Sequence, residues 1–285
     1  MRIRNLKSAW YWATVCTAIL VTLATLISVI WLTVYTRRRS QELFEKSMDQ
    51  FQLRVETYLE DFQRIAKQVS YSSAAQTLLF GDDRLERLEQ YAQWGARMGM
   101  LTWNEENLLA CGAGGDPDKG LTELGREAVR RMQRLNILPD VSHTSDRSFW
   151  DIMDLAEGPV IASHSNCRAL CDVRRNLTDE QLRAIRDTGG VVGVNVSHDF
   201  VHKEPRQQTA AMLARHAAHM AEVMGPEHVA CGFDFCEYFG PGYEGCEGME
   251  DCGQAQNFIF ELERIGFSEA ERQAIASENL LRVLE

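Results

Sequence analysis

Asp140-Val141-Ser142-His143 and Val160-Ile161-Ala162-Ser163-His164 each end an apolar run with a histidine, and Arg174-Arg175-Asn176 follows shortly after. In a parallel barrel the strand delivers its last side chains at the carboxyl edge of the sheet, where loops and strand tips assemble the chemistry. Two neighbouring tips bring two imidazoles within reach of one ion. The layout points to a metal site on a parallel barrel.

The surrounding pattern agrees. Apolar stretches at 98–103, 138–142, 160–163, 191–196 and 228–233 read as strands, and segments 122–135, 148–156, 178–188, 208–224 and 268–284 read as helices. Thr178 with Gln181, and Ser268 with Glu271, have capping-box spacing, which marks two of the helix starts. Alternation of strand and helix predicts an α/β fold with a parallel sheet.

Ordered motifs carry a more specific resemblance. Leu101-Thr102-Trp103-Asn104, Asp140-Val141-Ser142-His143, Ser163-His164-Ser165-Asn166, Arg175-Asn176-Leu177-Thr178, Val191-Val192-Gly193-Val194-Asn195 and Ser277-Glu278-Asn279-Leu280-Leu281-Arg282-Val283 occur in this order. Over 85–285 the chain resembles the renal (membrane) dipeptidase family of zinc peptidases. The resemblance implies a (β/α)8 barrel with two zinc ions and a bridging hydroxide that attacks the peptide bond of a dipeptide. By position it implies that His143 and His164 are the imidazole ligands of one zinc. It further implies that Arg175 takes the substrate's terminal carboxylate and that Asp234, in Gly232-Phe233-Asp234-Phe235, stands beside the hydroxide.

Each role is chemically apt. Neutral imidazole is a good zinc ligand, and catalytic zinc lowers the pKa of its water to about 7. The planar arginine fork matches a carboxylate in two-point contact. An aspartate beside a metal-bound hydroxide can orient it and pass its proton to the leaving amine. Trp103 is a candidate wall of the substrate pocket, with a core tryptophan as the alternative, and His198, just past a strand tip, is a candidate substrate contact.

The chain also departs from the family's pattern. The family has a His-x-Asp pair on its first strand and a glutamate after its third that bridges both ions, whereas no histidine precedes His143 here and the corresponding later stretch carries Gln76. A neutral amide bridges two cations poorly. One zinc or none is expected, and hydrolysis by this chain alone is in question. About five strands of eight are expected, a partial TIM barrel.

In front of the barrel part, positions 8–36 contain no charged residue, longer than the roughly 20 apolar residues a spanning helix needs. Trp10, Tyr11 and Trp12 at one end and Trp31 and Tyr35 at the other fit aromatic belts. A cleaved signal peptide is the rival, but its apolar core is usually ~7–15 residues and a small-residue cleavage site follows it. Arg2, Arg4 and Lys7 precede the span and Arg37, Arg38 and Arg39 follow it, so the basic flanks do not orient it. By analogy with membrane dipeptidases and with bacterial membrane sensors, whose first extracytoplasmic helix 37–80 resembles in general pattern, the carboxyl-terminal domain is expected outside the cytoplasm. Phe44, Met48, Phe51, Val55, Tyr58, Phe62, Ile65 and Val69 recur in steps of four and three, a heptad seam over 44–69. It reads either as a coil that pairs two copies or as an amphipathic helix packed on its own domain. The expected organisation is an anchor at 1–39, a helical linker at 40–84 and the barrel part at 85–285.

A net charge of −11 argues against nucleic acid as a partner, since binding would require neutralising phosphates with cations. The chain's 8 cysteines include no paired Cys-x-x-Cys set, so a structural zinc ribbon is not expected. Cys16 falls in the apolar span and the others read as buried thiols, with a Cys246–Cys252 bridge left open. His216 and His219 lie three apart on a predicted helix and read as solvated, as do His202 and His228. The glycines in 112–115 read as part of an active-site loop, and the glycine-rich stretch 239–252 as a lid or rim past a strand tip. Three functions stay open: an anchored metallodipeptidase, a non-catalytic peptide-binding or signalling barrel, and a truncated or fused product.

Overall fold

A computed structural model describes residues 85–240 and 242–285. The apolar span 8–36, the seam 44–69 and Gln76 lie outside them. Among the described residues no helix is long and apolar enough to cross a membrane.

The order of elements is α1 (Glu86–Gln93), β1 (Met98–Met100), α2 (Glu123–Arg134), β2 (Leu138–Asp140), α3 (Asp146–Met153), α4 (Asp179–Asp187), β3 (Val192–Val194), α5 (His198–Val201), α6 (Ala210–Met224), β4 (Val229–Cys231), α7 (Gln256–Arg264), α8 (Glu269–Gln273), a π turn (Ala274–Glu278) and α9 (Asn279–Leu284). The fold is α/β. β1 pairs parallel with β2, and β3 with β4. The expected strand at 160–163 forms single parallel bridges, Asp140 with Ile161 and Ala162 with Val192. Its hydrogen bonds, Val141 N to Ile161 O at 2.8 Å and Gly193 N to Ala162 O at 2.8 Å, join the two pairs into five parallel segments in sequence order.

Four of the five expected strands form, shorter than predicted, and the fifth is reduced to single bridges, because at their carboxyl ends the ladder gives way to side chains. Asp140 Oδ1 accepts the backbone N–H groups of Ser142 and Ser163, both at 3.0 Å, and so releases both strands from pairing where the site begins. Two glycines let the tips close. A Cβ on Gly193 would sit 2.2 Å from the Ser163 carbonyl oxygen, and one on Gly232 only 1.7 Å from it.

The helices start where short polar side chains satisfy free N–H groups. Thr122, Ser145, Thr178, Thr209 and Ser268 each accept from the third residue beyond, and the boxes at Thr178–Gln181 and Ser268–Glu271 are complete. α3 starts before the expected residue 148 because Ser145 is its cap. The predicted final helix is interrupted by the π turn, and α1, α5 and α7 were not anticipated.

Strand residues on one side, among them Val160, Ala162, Val192, Val194 and Val229, pack with Phe149, Ile152, Leu182, Ile185, Leu213 and Met220 from the helices into the main core. Ile161, Val191 and Ala230 point the other way, into a small cluster with Leu280 and Val283 of α9. Burial on both faces explains the near-continuous apolar runs. Each such side chain contributes roughly 1.5–3 kcal/mol.

Candidate active site at the strand tips

His143 leaves the tip of β2 with φ 68°, and Asp234 stands past β4 with φ 59°. This left-handed conformation costs a side-chain-bearing residue roughly 1–2 kcal/mol. Non-glycine residues held in such conformations gather at functional sites, where packing enforces them.

These backbones aim four of the predicted residues at one place. His143 Nε2 lies 2.9 Å from His164 Nε2, with ring centroids 4.9 Å apart. Asp234 Oδ2 is 3.9 Å from His164 Nε2 and accepts a 3.3 Å bond from Asn195 Nδ2. Arg175 Nη2 donates to the His164 carbonyl at 3.3 Å, its guanidinium lies 5.1 Å from the centre of the Phe200 ring, and its buried Nε has no partner among the described residues. Trp103 is 64% exposed, its ring centroid 6.2 Å from that of His143, so it stands beside the histidines and is no core residue. His198 is not brought in. At the start of α5 its Nδ1 meets the neighbouring Asp199 carboxylate at 3.0 Å.

Burial lowers the pKa of both imidazoles. Burial, reinforced by the Arg175 charge and the facing His164, pushes His143 down to about 2. His164 is also lowered, by burial first and then Arg175, with Asp234 and Asp140 opposing. Burial brings Arg175 down to about 10, which leaves it cationic at neutral pH.

The pair suits one cation. Two imidazoles bound at ~2.0–2.1 Å to a tetrahedral zinc hold their nitrogens ~3.3 Å apart, so a slight opening of the 2.9 Å pair admits an ion. Among the described residues no group of three or more His, Cys, Asp or Glu side chains is placed to hold a metal. They fit one ion with two imidazoles, not two ions.

Several supporting residues carried no assigned role. Asp140, 3% exposed, accepts from two backbone N–H groups and from Ser163 Oγ. Ser163 Oγ is also 2.7 Å from His164 Nδ1, and Asn104 Oδ1 is 2.8 Å from His143 Nδ1. Asn166 and Asn195 clasp reciprocally, Asn195 N to Asn166 Oδ1 at 3.0 Å and Asn166 Nδ2 to Asn195 O at 2.8 Å. The available signal was an acid, amides and hydroxyls at the ends of apolar runs, since polar groups buried there must be paired.

The remaining expectations resolve individually. The 112–115 turn clasps the site: Gly114 N donates to Asn104 O at 2.8 Å, and a Cβ on Gly112 would strike the Trp103 carbonyl. The later glycine-rich loop is pinned rather than free, with Cys246 and Met249 buried and Cys246 N bonded to Val196 O at 2.8 Å. Cys246 and Cys252 are not bridged, and every described cysteine is free. His216 is buried rather than solvated, and His228 is half-buried with Nδ1 2.6 Å from the Gly190 carbonyl.

A Klebsiella pneumoniae protein of the pqqA 5′ region is 36% identical over 207 residues, covering 70% of this chain and 74% of that one. An uncharacterized dipeptidase of Schizosaccharomyces pombe is 36% identical over 210 residues, 71% of this chain and 49% of its own, so the chain spans about half of that relative's length. The crystal structure of a Rhodobacter sphaeroides metallopeptidase liganded with a phosphinate mimic of L-Ala-D-Ala superposes with a TM-score of 0.63 at 30% identity, covering 70% of this chain and 58% of that one. The model of the membrane dipeptidase family matches residues 36–285, most of the sequence, and the chain is therefore a member of that family, peptidase family M19.

Proposed function

We propose that this protein is a membrane-anchored metallodipeptidase built on a partial (β/α)8 barrel, with zinc held by His143 and His164. The observation that carries the reading is the convergence of two imidazoles, Nε2 on Nε2 at 2.9 Å, beside a buried guanidinium whose Nε is unpartnered among the described residues. Zinc bound there would lower the pKa of a coordinated water to about 7. Arg175 offers the fork for the dipeptide's terminal carboxylate and is steadied by the Phe200 ring and the His164 carbonyl. Asp234, held by Asn195, is positioned to take a proton from the attacking water and return it to the leaving amine. Trp103 covers the side next to His143. Residues 8–36 would insert in lipid, the seam 44–69 would pair two copies, and the barrel part would face outward from the cytoplasm. The charge-free apolar span supports the first placement and the heptad spacing the second, and the third follows by analogy with membrane dipeptidases.

A second reading rests on the sequence: no histidine precedes His143 and Gln76 stands near the place of the family's bridging glutamate, a donor set that favours binding a dipeptide without cleaving it. Full-length protein in detergent, loaded with zinc and titrated with the phosphinate mimic, separates the two. Mimic binding together with L-Ala-D-Ala hydrolysis supports the peptidase. Mimic binding without hydrolysis supports the binding protein, and neither binding nor hydrolysis rejects both.

A further inference from the structure

The hydrogen atoms around the two histidines are fixed by their neighbours, and both neighbours set the same tautomer. We propose that Asn104 and the Asp140–Ser163 pair are positioning residues that hold His143 and His164 as Nδ1–H imidazoles, so that both Nε2 lone pairs face the cation site. The inference rests on the metal-binding reading above.

The proton inventory decides it. Asp140 Oδ1 is occupied by the N–H groups of Ser142 and Ser163, and Oδ2 faces Ser163 Oγ. A carboxylate has only acceptors, so the Ser163 hydroxyl hydrogen points to Asp140. Ser163 Oγ then presents lone pairs to His164 Nδ1 at 2.7 Å, and the hydrogen of that contact must be on the imidazole. Ser142 Oγ lies farther from Ser163 Oγ, at 3.4 Å, so the much shorter contact with the Asp140 carboxylate takes the Ser163 hydrogen. On the facing side, Asn104 Oδ1 is an acceptor 2.8 Å from His143 Nδ1, so that nitrogen also carries the hydrogen. The Asn104 main chain is held in place, its backbone carbonyl accepting from Gly114 N at 2.8 Å with the Gly112 backbone packed on it.

The consequence is two bare nitrogens directed at each other across 2.9 Å. Without a cation that contact is repulsive; with one it is a ligand pair. Outer groups of this kind raise ligand basicity, and their loss typically costs roughly 10–100-fold in metal affinity. They also make distinct, signed predictions. Asp140→Asn puts an amide N–H against Ser163 Oγ, frees the serine hydrogen to donate to His164 Nδ1, and flips that ring to Nε2–H. Ser163→Thr keeps the relay and Ser163→Ala removes it. Asn104→Asp keeps the acceptor and Asn104→Leu removes it.

The test is nitrogen NMR of histidine-labelled full-length protein, zinc-free, with His143→Ala and His164→Ala to assign the rings and zinc titration in parallel. The expected result is Nδ1–H at both rings in the parent. His164 switches to Nε2–H in Asp140→Asn, and zinc affinity falls about 10–100-fold in Asp140→Asn, Ser163→Ala and Asn104→Leu. Ser163→Thr and Asn104→Asp retain parental affinity, which a general loss of packing would not reproduce. An Nε2–H tautomer at either ring of the parent, or an unshifted His164 in Asp140→Asn, overturns the proposal even if zinc binds. Zinc retained in His143→Ala and His164→Ala would instead sink the metal reading, while the ring tautomers would still report on the relay.

Discussion

Two pairs of histidines in this chain obey different physics. His216 and His219 are three residues apart on α6, yet their partners are unrelated. His216 Nδ1 accepts from Cys167 N at 3.1 Å and its Nε2 donates to the Val201 carbonyl at 2.8 Å, while His219 Nε2 meets the Asp179 carboxylate at 2.7 Å. His143 and His164 are far apart in sequence and face each other. Helical spacing put two imidazoles on one helix without giving them a common task, because each found its own satisfied partner. Neighbouring parallel strands gave the other pair a common direction, and the polar groups at the tips took up their Nδ1 atoms, so that the Nε2 atoms face each other at 2.9 Å with Asp234 Oδ2 3.9 Å from that of His164.

The comparison is best broken by removing members of each pair. Replacing His216 by alanine leaves the Cys167 amide and the Val201 carbonyl buried and unpaired, at ~1–3 kcal/mol each. A loss of about 3 kcal/mol in urea unfolding is expected, with zinc stoichiometry unchanged. Burial pulls His216 down to about 4, below the ordinary 6.5, so the unfolded chain takes up a proton first. Its contribution is complete above about pH 6.5 and is lost as pH falls towards 4. Zinc-free parent protein should lose stability across that window more steeply than His216→Ala, and parallel pH curves would contradict the burial assigned to this ring.

Arg175→Met removes the fork but not the imidazoles. Charge-assisted bonds of ~1.5–3 kcal/mol predict binding of the phosphinate mimic weakened by roughly 10–150-fold with zinc retained, measured by calorimetry. Arg175→Lys should recover only part, since the ammonium lacks two-point geometry. The smallest effect is expected for His219→Ala. Its pair with Asp179 has side chains 22% and 35% exposed, so less than about 1 kcal/mol of stability should be lost. A large loss there would mean that the two histidines of α6 act together after all.

The contrast also explains what the sequence disclosed. Five strands, the principal helices and the two complete capping boxes were legible because apolar periodicity and cap spacing are local signals. The strand ends were not, because Asp140 ends two ladders at once by a contact across 23 positions. His143, His164, Arg175 and Asp234 were found through ordered motifs, and they do converge. His198 sits next to a tip as expected, but the turn into α5 hands it to Asp199. Asp140, Ser163 and Asn104 stood inside the motifs without roles, since what they do depends on where hydrogen atoms lie in the folded site. His216 looked solvated because nothing local reveals that Cys167 and Val201 close over α6.

The claim on which the rest depends is that His143 and His164 bind a common cation through Nε2. X-ray absorption at the zinc edge of the loaded full-length protein tests it most directly. The account predicts two imidazole nitrogens at ~2.0–2.1 Å, with one lost in either His143→Ala or His164→Ala as zinc binding collapses. A sulfur shell from the cysteines, or an unaltered nitrogen shell in both variants, would contradict it.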